Sequence, residues 1–186
     1  STGGKHSPAM CCQTMRHRIS DSRRAPCDQD GFLAVGHMSY FFQTGVEDVM
    51  TTHRASCQCG SLEATLEGDP DFVIACNCRA CQKRTGAPFG TGAYFRKETL
   101  TVNGPIKPWQ RTADSGRALE NFFCPTCGTN LYWTLEMRPD HVGVAFGCFD
   151  TKLPDPVRAI WMEEAHDWVG FPEDWPKFPK GTPEPA

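Results

Sequence analysis

The sequence offers little to a membrane, a nucleic acid or a secretory route. No stretch approaches the roughly 18 consecutive apolar residues that span a bilayer, so no membrane helix is expected. No charged-then-apolar leader opens the chain, which leads to the expectation of a reducing, cytoplasmic setting. Positive charge is not in excess: 19 Lys and Arg stand against 22 Asp and Glu, a net charge of −3. That balance gives no global electrostatic basis for a nucleic acid or an anionic membrane as partner. Glycines form no phosphate-binding loop, and no segment repeats. With 39% hydrophobic and 22% charged residues the chain can bury a core, so wholesale disorder is not expected. Cysteine is the exception to this plainness. Eleven cysteines in 186 residues, about 6%, still fall below the roughly 8–10% of a disulfide-dense secreted scaffold.

Four of the eleven, Cys11, Cys12, Cys27 and Cys148, are scattered. The other seven form three groups: Cys57-Gln-Cys59-Gly60, Cys76-Asn-Cys78-Arg-Ala-Cys81 and Cys124-Pro-Thr-Cys127-Gly128. A disulfide framework favours well-separated partners, whereas thiols one or two residues apart converge on a single ion from one turn. A following glycine supplies the backbone freedom such a turn needs. Soft thiolates select zinc or an iron–sulfur cluster, and these spacings match neither ferredoxin pattern. Zinc is therefore the expected metal.

A closed structural zinc takes four protein ligands, and a reactive one keeps a position for water or substrate. The two glycine-terminated pairs make one four-thiolate set, Cys57, Cys59, Cys124 and Cys127. The middle group supplies three ligands, Cys76, Cys78 and Cys81. Spacing alone permits a mixed assignment as well. Three thiolates leave zinc with a net charge of −1, which polarises water less than a histidine site and favours binding a further soft sulfur. Arg79, Lys83 and Arg84 lie within or just after this group, placed to offset that charge and to receive the carboxylates of an acidic thiol. His53, His141 or His166 is the alternative fourth ligand, which would close the site. Cys148, between aromatic residues, reads as a small buried hydrophobe. The five tryptophans read as core or edge cover, with one or two lining a pocket.

The pattern from residue 54 onward is of strands. Leu62, Ala64 and Leu66 alternate with polar residues up to Gly68-Asp69-Pro70, and Phe72 to Ala75 leads into the middle cysteine group. Residues 79–85 suit one or two helical turns stopped by Gly86 and Pro88. Alternation returns at Phe89–Phe95, Leu100–Val102, Leu131–Leu135, Val142–Phe146 and around Ala159–Met162. Seven or so short strands imply a mainly β domain with little helix. Residues 1–50 read as an N-terminal extension, 51–186 as the metal-binding domain, and the proline-rich stretch from about 171 as an irregular tail on its surface.

The order C-x-C-G, then C-x-C-x-x-C-Q-K-x-x-G-x-x-F-G, then F-C-x-x-C-G-x-x-L-Y-W, from about Cys57 to Trp168, resembles the glutathione-dependent formaldehyde-activating enzyme family. The resemblance implies a β-tent fold of twisted antiparallel sheets organised around zinc. It also implies the same division of ligands: structural zinc at Cys57, Cys59, Cys124 and Cys127, and an active-type zinc at Cys76, Cys78 and Cys81. The implied activity is the joining of formaldehyde to glutathione to give S-hydroxymethylglutathione, a carbon–sulfur lyase reaction run in reverse. Asn77 stands where many members have histidine, so a proton donor or acceptor beside the metal is replaced by a carboxamide. Two other readings of the same residues are a non-catalytic carrier of glutathione or a small thiol, and a purely structural zinc protein.

Overall fold

Alternating apolar and polar residues fold as strands because successive side chains reach opposite faces of a sheet. The computed structural model describes residues 51–183. The expected N-terminal extension, with Cys11, Cys12 and Cys27, lies outside the described residues. The first strands are β1 (Thr52–Ser56), β2 (Glu63–Glu67) and β3 (Phe72–Cys76), followed by the helix α1 (Arg79–Thr85). Next come β4 (Gly90–Arg96), β5 (Leu100–Asn103), β6 (Lys107–Thr112) and β7 (Ala118–Phe123). The last are β8 (Asn130–Leu135), β9 (Arg138–Ala145) and the two-residue β10 (Ala159–Ile160). The protein is mainly β, as its alternation implies.

Two sheets result. The smaller has the order β1-β2-β5, the larger β10-β3-β4-β9-β8-β7-β6. All pairings are antiparallel except β10 with β3. Ala55, Leu62, Ala64 and Leu66 from the smaller sheet region pack with Val73, Ala93, Phe95, Val142 and Val144 from the larger, and these are fully or almost fully buried. One face of the large sheet therefore feeds the core. Burial of each such Val, Leu or Phe contributes roughly 1.5–3 kcal/mol.

The opposite face carries a different set of side chains. Strand register aligns Trp109, Asn121, Trp133, Gly143, Tyr94 and Phe72 in one row across β6, β7, β8, β9, β4 and β3. This row is the floor of the cavity described below.

Three strands were not expected from the alternation. In β1 the buried positions are His53 and Ala55, which carry no strong apolar signal. Strand β6 is an edge strand, exposed at five of six positions and interrupted by Pro108, which an edge tolerates. In β7 both faces are at least partly covered, so alternation is lost. The helix falls where expected and ends at Gly86, whose φ of 66° lies in the left-handed region that favours glycine. Residues 171–183 form no regular helix or strand, as expected of the tail. They are tied down by backbone bonds: Ala159 N–H to Pro176 C=O, Phe178 N–H to Ala159 C=O and Trp161 N–H to Lys180 C=O.

Candidate functional site

All eight cysteines among the described residues are free. Seven of them gather as four and three. The sulfurs of Cys57, Cys59, Cys124 and Cys127 lie within 4.8 Å of one another, and so do those of Cys76, Cys78 and Cys81.

The four-sulfur group is built by two turns. Gly60 N–H donates to Cys57 C=O and Gly128 N–H to Cys124 C=O, both at 2.9 Å, so each glycine closes the turn that aims its pair. Cys57 and Cys124 are buried, while Cys59 is exposed. Two hydroxyls that the sequence reading missed serve the sulfurs. Ser61 Oγ lies 3.1 Å from Cys59 Sγ and 3.3 Å from Cys124 Sγ, and Thr129 Oγ1 lies 3.3 Å from Cys127 Sγ. Hydrogen bonding to a thiolate favours the charged form. Accordingly the Ser61 hydroxyl helps bring Cys124 down to about 7, and that of Thr129 helps bring Cys127 down to about 5.

The three-sulfur group straddles a strand end and a helix start. Cys76 is the last residue of β3, Cys78 is the N-cap of α1, and Cys81 lies in its first turn. The Cys81 N–H donates to Cys78 Sγ at 3.4 Å, so one sulfur satisfies a helix N–H that would otherwise be orphaned. The Cys76 and Cys81 thiols donate to Cys78 and pull it down to about 2, helped by the Cys81 N–H and by the charge of Arg111. The same bond to Cys78 pushes Cys76 upward. Asn77, fully buried, donates from Nδ2 to Ile160 C=O at 3.0 Å. Gln82 Nε2 donates to Asn77 C=O and Glu164 C=O, at 2.6 and 3.0 Å. The Ile160 and Glu164 contacts tie the sulfur-bearing turn to β10 and to the segment after it.

Among the described residues no histidine or carboxylate joins either sulfur group. His53 is held by Asp69 at 3.1 Å and Thr151 at 3.4 Å, and His141 by Asp71 at 2.8 Å. His166 stacks on Trp168. Cys148 is half-buried and packs against the core.

The three-sulfur group opens onto a cavity of about 650 Å³, of the size that takes a drug-sized molecule. Its wall includes Trp109, Trp133 and Trp161, more indole than the sequence reading expected. Trp133 lies flat against the sheet because Gly92 and Gly143 leave room for it. A Cβ at Gly92 would stand 2.6 Å from the indole, and one at Gly143 would clash harder. The guanidinium of Arg84 lies 4.3 Å above the Trp133 ring, a stacked cation–π contact. Trp161 is held at φ 57°, a rare conformation for a bulky residue. Such strain concentrates at functional sites.

Lys83 and Arg84 line this cavity; Arg79 does not. Arg79 instead turns to Gln82, at 2.9 Å, and Glu164, at 3.9 Å. Arg111 and Arg138, unremarked in the sequence, complete a cationic lining opposed by Asp114. No local signal marks these two, since strand register alone brings them to the cavity. Among the described residues no helix is long and apolar enough to cross a membrane.

Residues 52–168 match the family described as glutathione-dependent formaldehyde-activating enzyme. Curated proteins bearing that name are similar to this chain. One from Fusarium vanettenii is 29% identical over 93 residues, covering 50% of each chain. One from Podospora anserina is 32% identical over 94 residues, 48% of this chain and 43% of its own. One from Aspergillus flavus is 27% identical over 90 residues, 48% of this chain and 47% of its own. The chain spans about half the length of the curated relatives it matches.

Proposed function

The chain belongs to the glutathione-dependent formaldehyde-activating enzyme family, and from that premise we propose that its cavity joins formaldehyde, or a related aldehyde, to glutathione to give S-hydroxymethylglutathione. The observation that carries this reading is the three-sulfur group: it lacks a fourth protein ligand among the described residues and faces a cationic, aromatic cavity.

The sulfur groups suit zinc. Four sulfurs about 2.3 Å from a zinc ion stand about 3.8 Å apart in a tetrahedron. The Cys57–Cys59 and Cys59–Cys124 separations are 3.5 and 3.7 Å. Cys57, Cys59, Cys124 and Cys127 would hold a structural ion, and Cys76, Cys78 and Cys81 a second one with one position free. Zinc held by these three thiolates supplies a soft acceptor that keeps an incoming thiol deprotonated at neutral pH.

The chain's own residues do the rest. Arg84, fixed by Trp133, receives a carboxylate of the tripeptide, and Lys83 adds a second positive charge. Tyr94 and Trp133 make an apolar floor that limits water around the reacting atoms. In the reaction the sulfur forms a bond to the aldehyde carbon and the carbonyl π bond opens onto oxygen. The oxygen takes a proton from solvent, replacing the one lost by the thiol. The gain comes mainly from orientation. Free thiols suit a reducing compartment such as the cytoplasm.

The test is the rate of thiohemiacetal formation with the zinc-loaded protein, set against the uncatalysed rate. We expect acceleration that Cys78→Ser abolishes, with zinc falling from two ions per chain to one by elemental analysis and the fold intact. Absence of acceleration in the parent sinks catalysis. Glutathione binding without acceleration would select the carrier reading, and two tightly held ions with no glutathione binding would select the structural one.

A further inference from the structure

The cavity floor holds one buried polar group with an unmet need. Asn121, in β7, is 3% exposed, and its Oδ1 is buried without a hydrogen-bond partner. Register places it between Trp109 on β6 and Trp133 on β8, on the cavity face of the sheet. A carboxamide oxygen accepts two hydrogen bonds, and buried polar groups in folded proteins are almost always paired. An orphan acceptor set between two indoles is a costly arrangement for stability alone. It makes sense where a ligand's N–H completes it.

We propose that Asn121 is a specificity-determining residue of the cavity, whose Oδ1 accepts a hydrogen bond from an amide N–H of the thiol substrate and so selects peptide thiols over simple mercaptans. The proposal rests on the reading of the cavity as a thiol site and adds to it how the site tells one thiol from another. The ligand runs from the three sulfurs, along the Trp133 ring beneath Arg84, toward β6. Its peptide plane lies across the row, with the two indoles bracketing the amide. Trp109 is 57% exposed on an edge strand, so it is free to turn aside and uncover the oxygen as the ligand enters. Arg111, on the cavity-lining side of the same edge strand, offers a charge to the far end of the peptide. A mercaptan without an amide leaves Oδ1 unpaired and gains nothing from this part of the wall.

Calorimetric titration of the zinc-loaded protein tests this with glutathione, 2-mercaptoethanol, 3-mercaptopropionate and two glutathione analogues, each N-methylated at one of its amides. In the parent one analogue should bind about tenfold more weakly than glutathione, the effect of one lost hydrogen bond. Asn121→Leu keeps the bulk and removes the acceptor. It should weaken glutathione about tenfold, leave the two mercaptans unchanged, and bind that analogue as well as it binds glutathione. If Asn121→Leu does not fold, Asn121→Ala, which adds no bulk, carries the same comparison. Equal weakening of every thiol would mean that the residue is only structural, and an unchanged glutathione-to-mercaptan ratio would overturn the proposal. Failure of the parent to bind glutathione at all would instead remove the cavity reading itself, a result distinct from either.

Discussion

Arg84 shows how a single side chain comes to line the cavity. Its position one turn beyond Cys81 was enough to suggest a role toward an acidic thiol, because charge next to a thiolate group has an evident use. What the sequence hid was the support. Trp133 lies 49 positions away, and the glycines that seat it belong to two further strands. Asn121 and Arg111 were illegible for the same reason, since register, not local pattern, brings them to the cavity. Arg79 carried the same local signal as Arg84, yet the helix turns it toward Glu164. The stacking on Trp133 makes Arg84 hard to replace by another cation, because lysine has no planar face and no fork. Arg84→Lys should raise the KM for glutathione about three- to tenfold and leave kcat nearly unchanged. Steady-state kinetics over a range of glutathione concentrations checks this, and an unaltered KM would show that charge alone suffices.

At the level of elements, α1 is too short to be stable by itself; helices of about 12 residues or fewer are marginal in water. It is held by Cys78 at one end, Gly86 at the other, and Gln82 beneath. Gln82 is the only residue of the helix that is buried, and it bridges the Asn77 and Glu164 carbonyls. Gln82→Leu would leave both carbonyls without that donor and should cost about 2 kcal/mol in urea unfolding. It should also speed chelator removal of metal from the three-sulfur group more than from the four-sulfur group, as read by stepwise zinc release. The helix boundaries were legible, since its stop signals are local chemistry. The seven strands with clear alternation were legible too. Strands β1, β6 and β7 were not: His53 and Ala55, the exposed run around Pro108, and β7, covered on both faces, each blur a period of two. Two of the six strands that carry the floor row, β6 and β7, are of the second kind, and register rather than spacing assembles the row, so the cysteines were readable and their surroundings were not.

For the whole described chain, the two sulfur groups have different work under the proposed function. Cys57 and Cys59 follow β1 of the small sheet, whereas Cys124 and Cys127 lie between β7 and β8 of the large one. A metal bound by these four closes a loop of about 70 residues and restricts the unfolded chain. The three-sulfur group closes only a local turn. Cys124→Ser should therefore lower the Tm of the zinc-loaded protein by about 10 °C or more, and Cys78→Ser by much less. Comparable losses in thermal denaturation would contradict this division. The mainly β class followed from alternation, but the order of the large sheet did not. The β4–β9 and β3–β10 pairings join segments far apart in the chain, and nothing local specifies them.

The large sheet has one face against the core and one toward the cavity, and its pleat keeps them apart residue by residue. Core packing and cavity lining are thus written on alternate letters of the same strands. A combinatorial library at Phe72, Tyr94, Leu119 and Asn121 would vary one set of letters and spare the other. Such a protein can change its taste in small molecules without renegotiating its architecture.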